Sequence, residues 1–125
     1  MNINENTNPI NNKVLEDLRN SFTASSIKTI LDNNPNLSSE TIVSILLPNI
    51  ETNFISSKTS LELAPYLKKR LNSHDLYFIV CASSFEIIPK LIDIYQDKLN
   101  STELYSCIAS TRGKDPLNLL LKYQE

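Results

Sequence analysis

At 125 residues the chain has the length of one domain, enough to bury about two thirds of its unfolded surface without disulfide or metal staples. A formal net charge of −2 and a pI near 5.4 give no bulk attraction to phosphate backbones, so nucleic acid is disfavoured as a partner. One glycine against six prolines makes a hairpin-rich β-sheet hard to turn, and the expectation is helices joined by Asn, Ser and Pro connections.

Residues 1–11 are polar and read as a flexible tail, leaving 12–125 as a single helical domain. Asn12 is placed to cap a first helix whose apolar stripe is Val14, Leu15, Leu18 and Phe22. Ser25 or Ser26 opens a second, with Ile27, Ile30 and Leu31 inward, and Asn33-Asn34-Pro35 stops it. Ser38 caps a third helix bearing Ile42, Val43, Ile45, Leu46 and Leu47, which Pro48 is expected to end. After a weakly patterned stretch, Thr59–Asn72 is helical with Leu61, Ala64, Leu67 and Leu71 on one face, broken or kinked at Pro65.

Leu76–Tyr95 is the most apolar part of the chain and must form the core. Its first half fits a buried strand as well as a helix, and helix is preferred because no second convincing strand exists to satisfy its backbone. Ser73 is its expected cap, and a break falls at Ser83-Ser84 with a restart near Pro89. Asn100 and Glu103 have the spacing of a capping box, opening a helix with Leu104, Cys107 and Ile108 inward. Gly113 ends that helix, and Asp115-Pro116 opens a last one, Leu117–Tyr123. The fold class is therefore all-α, a compact bundle or short stack of six to eight helices arranged as α-hairpins.

Catalytic and cofactor signatures are missing from this pattern, so the chain is read as a non-enzyme with no cofactor. His74 and Cys81 are seven residues apart, on one helical face but two turns from each other, too far for a hydrogen-bonded Cys–His pair. Asp93 and Asp97 share a face as a solvated stripe rather than an acid–base pair. Ser110–Lys114 lacks the GxxxxGK spacing of a phosphate loop, and Lys68-Lys69-Arg70 reads as a solvated basic face. Cys81 and Cys107 sit in apolar runs outside any metal-ligand spacing, and are expected as buried reduced thiols. With no secretion signal or membrane-length run, a cytoplasmic location is expected, and delivery into a host cell by a dedicated secretion machine stays open.

Gly113-Lys114-Asp115-Pro116-Leu117-Asn118-Leu119 resembles the GxTPLHxA opening of an ankyrin repeat. Leu76-Tyr77-Phe78 and Phe85-Glu86-Ile87-Ile88 are similar to its inner and outer helices, and Thr59–Ala64 is a third echo. What the resemblance implies is protein binding through a helical face. The final helix also carries two apolar faces, since Leu117, Leu120 and Leu121 turn one way and Leu119 and Tyr123 another. The expected function is thus a protein-protein interaction module, an inhibitor or adaptor of one partner protein. Its candidate contact residues are Arg112, Lys114, Asn118, Leu119, Lys122 and Tyr123. A homodimer through that surface is the simplest version. The rivals are a small enzyme with an unrecognised site and a weak nucleic-acid binder through Lys68–Arg70.

Overall fold

The computed structural model describes residues 9–109. Seven helices and no strands are found among them: α1 (Pro9–Arg19), α2 (Ala24–Asp32), α3 (Ser39–Glu51), α4 (Ser57–Arg70), α5 (Ser73–Ala82), α6 (Ile88–Tyr95) and α7 (Ser101–Ala109). Consecutive helices fold back on each other as the hairpins α1–α2, α3–α4 and α5–α6. Helices α1, α3, α5 and α7 then pack side by side in one layer, and α2, α4 and α6 in the other. The core between the layers is almost wholly Leu, Ile and Val, with Leu18, Ile27, Ile42, Leu46, Leu76, Val80, Leu91 and Ile92 completely buried. The stretch expected to form the core does so, and Leu76–Cys81 is helical.

Local capping explains most helix starts. Ser38 accepts from the Thr41 amide and Ser56 from the Thr59 amide, each supplying an acceptor to an otherwise open helix end. Asn100 and Glu103 form the expected reciprocal box, Glu103 N–H donating to Asn100 Oδ1 at 2.8 Å and Asn100 N–H to Glu103 Oε1 at 3.1 Å. Elsewhere the cap is a residue or two upstream of expectation. Thr23 caps α2 instead of Ser25 or Ser26, and Asn72 caps α5 instead of Ser73. The first helix opens at Pro9, a residue whose fixed φ suits a first turn, rather than after an Asn12 cap.

The stop expected at Pro48 does not occur, and of the two readings at Pro65 the break does not. Helix α3 continues through Pro48 to Glu51, and α4 runs through Pro65 without interruption. Both prolines face solvent, so the carbonyls they leave unbonded one turn back can be hydrated while the opposite face stays packed. For α3 that opposite face includes Ile50, 5% exposed, and Asn49, whose side-chain amide donates to the Arg19 carbonyl at 2.9 Å. Beyond Glu51 the chain reverses through Asn53, at φ 63°. Asparagine tolerates this left-handed conformation better than most residues, and it brings the Ile55 N–H back to the Asn49 carbonyl at 2.9 Å.

Neighbouring hairpins are tied at their ends by polar side chains. Arg70 donates to the Leu31 carbonyl at 2.7 Å and the Asn34 carbonyl at 2.6 Å, placing a cation on the C-terminal end of α2. Lys98 does the same for α4, donating to the carbonyls of Lys68 and Leu71. At the N-terminal ends of α3 and α5, the Ser39 hydroxyl donates to the buried Asp75 carboxylate at 2.5 Å and accepts from the Asn72 N–H at 2.9 Å. The Ser57 and Ser84 hydroxyls share a 2.7 Å bond.

Candidate functional site

The chain contains four phenylalanines, and all of them are on the surface: Phe22 40% exposed, Phe54 64%, Phe78 40% and Phe85 45%. A core with room for aromatic rings normally takes them, because each ring buries a large apolar area. Three of the four occupy equivalent places. Phe22, Phe54 and Phe85 each lie three residues beyond the last residue of α1, α3 and α5 respectively, in the tip that joins the two helices of a hairpin. In sequence they are 32 and 31 residues apart.

The tips form one edge of the stack. The rings of Phe22 and Phe54 touch, with centroids 5.8 Å apart and planes inclined at 60°. Phe85 belongs to the third tip, whose Ser84 bonds Ser57 at the start of α4, three residues past Phe54. The local cause of the outward placement is clearest at Phe54. The left-handed Asn53 turns the chain so that Ile55, 1% exposed, enters the core and its neighbour Phe54 faces out. Phe22 was expected to continue the buried stripe of the first helix. It does not, because α1 ends at Arg19 and the α-helical spacing no longer applies past that point.

A second surface lies on α5 and α7. His74, Tyr77 and Phe78 cluster on α5, with His74 edge-on to Phe78 at 4.5 Å and Tyr77 5.7 Å from Phe78. His74 Nδ1 lies 3.5 Å from Glu103 Oε2 on α7. Charge on Cys81 pushes the Tyr77 phenol up. The Cys107 thiol is pushed far up, first by its hydrogen bond to Cys81 and then by burial. Cys107 is buried as expected, whereas Cys81 is exposed. The buried stripe of α5 is Asp75, Leu76, Ile79 and Val80, and Cys81 falls outside it although the apolar run includes it.

A shallow depression of about 370 Å³ is lined by Leu31, Asp32, Pro35, Tyr66, Lys69 and Arg70. Its polar groups are mostly committed to one another: Tyr66 Oη donates to Asp32 at 2.7 Å, and Arg70 is held by the α2 carbonyls. Burial, followed by the bond to Asp32, pushes the Tyr66 phenol up.

The candidate contact residues Arg112, Lys114, Asn118, Leu119, Lys122 and Tyr123 lie outside the described residues, as do Gly113 and the last helix. In the basic cluster Lys68 pairs with Asp97 at 2.7 Å and Arg70 with backbone carbonyls, so two of its three cations are used within the fold. The hydrogen bond from Lys68 holds the Asp97 carboxyl below its ordinary range. His74 is directed to Glu103 rather than to Cys81. Among the described residues no group of three or more His, Cys, Asp or Glu side chains could hold a metal ion, and no helix is long and apolar enough to cross a membrane.

These features define an all-α stack of helical hairpins with an aromatic edge. No protein-family model, curated protein or solved structure matches the chain.

Proposed function

We propose that this protein is a non-enzymatic protein-protein interaction module, an inhibitor or adaptor that regulates a partner protein by docking it along the hairpin-tip edge. The observation that carries this reading is the outward placement of Phe22, Phe54 and Phe85 at equivalent positions of successive hairpins. Aromatic side chains are enriched at protein interfaces because they offer a large, stiff apolar area at low entropic cost. Repetition along a stack turns single rings into a ridge that an apolar groove on a partner can follow. An ankyrin-like origin accords with this reading, since α2, α4 and α6 begin 33 and 31 residues apart, close to the roughly 33-residue period of that family.

Phe22→Asp and Phe54→Asp test it, because both side chains are exposed enough for the fold to survive. Affinity capture from the native cell with mass-spectrometric identification gives the partner, and light scattering gives the stoichiometry. The expected result is a partner retained by the wild-type chain and lost at least tenfold by each variant, with helical circular dichroism and melting temperature unchanged. Equal capture by wild type and both variants would refute the edge as the site. Loss with Leu119→Asp alone would move the site to the C-terminal residues, and loss of self-association in the phenylalanine variants would make the partner a second copy.

A further inference from the structure

The outward strips of two helices match in length and are opposite in charge. On α3 the exposed residues are Glu40, Ser44, Pro48 and Glu51, and on α4 they are Lys58, Glu62, Pro65 and Lys69. Each set recurs at intervals of three or four residues and so shares one helical face. Glu51 follows Glu40 by eleven residues, and Lys69 follows Lys58 by eleven, which puts the charges of each pair about 16 Å apart along the helix. We propose that the two strips are the halves of a contact between copies of this chain, the α4 strip of one molecule docking on the α3 strip of the next.

These charges are not spent within the fold. Among the described residues Glu40, Glu51, Lys58 and Lys69 enter no ion pair, whereas Lys68 is held by Asp97 and Arg70 by the α2 carbonyls. Helix α3 has no lysine or arginine, and neither has its neighbour α5, so no such cation on that face opposes an incoming ammonium. Glu62, between the two lysines of α4, falls opposite the uncharged middle of the α3 strip whichever way the two helices run. The middle is also where both strips are apolar. Leu47 and Pro48 stand on α3, extended by the half-exposed Phe78 of α5, and Leu61 and Pro65 stand on α4. Exposed ion pairs contribute little each, so the apolar middle supplies the attraction while the two charges at either end fix the register.

The symmetry of the contact follows from the fold. Helix α3 belongs to one layer and α4 to the other, so the strips lie on opposite faces and one dimer cannot satisfy both. Each molecule that docks leaves a strip open on either end of the pair, and copies add head to tail. The contact uses none of the hairpin-tip phenylalanines, and it stands or falls separately from the reading of that edge.

Sedimentation velocity of the full chain at concentrations up to about 1 mM, the weak end of specific affinities, tests it. At low salt the average mass should rise with concentration above the 14.2 kDa of one chain, without levelling at the dimer. It should fall back toward one chain at about 1 M sodium chloride, where charges act only over about 3 Å. Glu40→Lys combined with Glu51→Lys should weaken self-association roughly tenfold or more, since both strips then carry the same sign. Lys58→Glu combined with Lys69→Glu should do the same. An equimolar mixture of the two double variants should associate again, because each reversed strip now meets its complement, a rescue that a folding defect cannot give. Phe54→Asp should associate as the wild type does. A wild-type chain that stays monomeric throughout, double variants that associate unimpaired, a mixture that stays monomeric, or loss of self-association in Phe54→Asp would each overturn the proposal.

Discussion

Tyr95 is completely buried, and its hydroxyl has no hydrogen-bond partner among the described residues. A buried hydroxyl without a partner costs about 1–3 kcal/mol in lost hydration. Replacing Tyr95 by Phe removes that cost, breaks no bond, and leaves a void of one oxygen atom whose lost dispersion contacts return a few tenths of a kcal/mol. The expected net effect of Tyr95→Phe is a stabilisation of about 1 kcal/mol, or roughly 4 °C in melting temperature for a domain of this size. Alkaline pH supplies a second readout. Burial raises the Tyr95 phenol above its ordinary range, so folded protein retains a proton that the unfolded chain releases near pH 10. The contribution is therefore complete at neutral pH and lost as pH rises beyond about 10, at about 1.4 kcal/mol per pH unit. Thermal melts from pH 7 to 11 should show the variant's advantage widening above pH 10. A variant destabilised by 1 kcal/mol or more, or one with the wild-type alkaline slope, would show that the hydroxyl is satisfied and the reasoning wrong.

Arg70→Met should destabilise the protein by about 2 kcal/mol in urea titrations, since two charge-assisted bonds to the end of α2 are lost. Arg70→Lys should recover only part of this, because an ammonium cannot reproduce the forked donor geometry. Ser39→Ala should cost a similar roughly 2 kcal/mol, as it deprives the buried Asp75 carboxylate of a donor and the Asn72 N–H of an acceptor. A double-mutant cycle with Asp75→Asn should reveal strong coupling between the two sites. For the exposed Lys68–Asp97 pair, Lys68→Met should let the Asp97 carboxyl return upward toward its ordinary range in an NMR titration. Its melting temperature should hardly change.

The parts of the fold legible in the residues were those written locally. The Asn100–Glu103 box, the Ser38 cap and the helical state of Leu76–Cys81 each depend on near neighbours or on the want of a strand to pair with. Pro48 misled, and Pro65 left a break and a continuous helix both open, because the cost of a proline depends on which face it occupies, and that is settled by packing of the opposite face. Cys81 misled for a related reason, since an apolar residue in an apolar run carries no sign of which side the neighbouring layer covers. The phenylalanine edge did leave a trace, an interval of 32 and then 31 residues between Phe22, Phe54 and Phe85. It was masked by helical periodicity, which assigned Phe22 to a stripe that had already ended.

Three of the polar ties between hairpins point one way in time. Asn49 reaches Arg19, Arg70 reaches Leu31 and Asn34, and Lys98 reaches Lys68 and Leu71. In every case the later residue completes an earlier helix end. A chain emerging from the ribosome N-terminus first therefore finds each docking point already synthesised when its hairpin arrives. Growth is by addition to a finished surface, and a chain shortened from its C-terminal side still leaves the earlier joints complete.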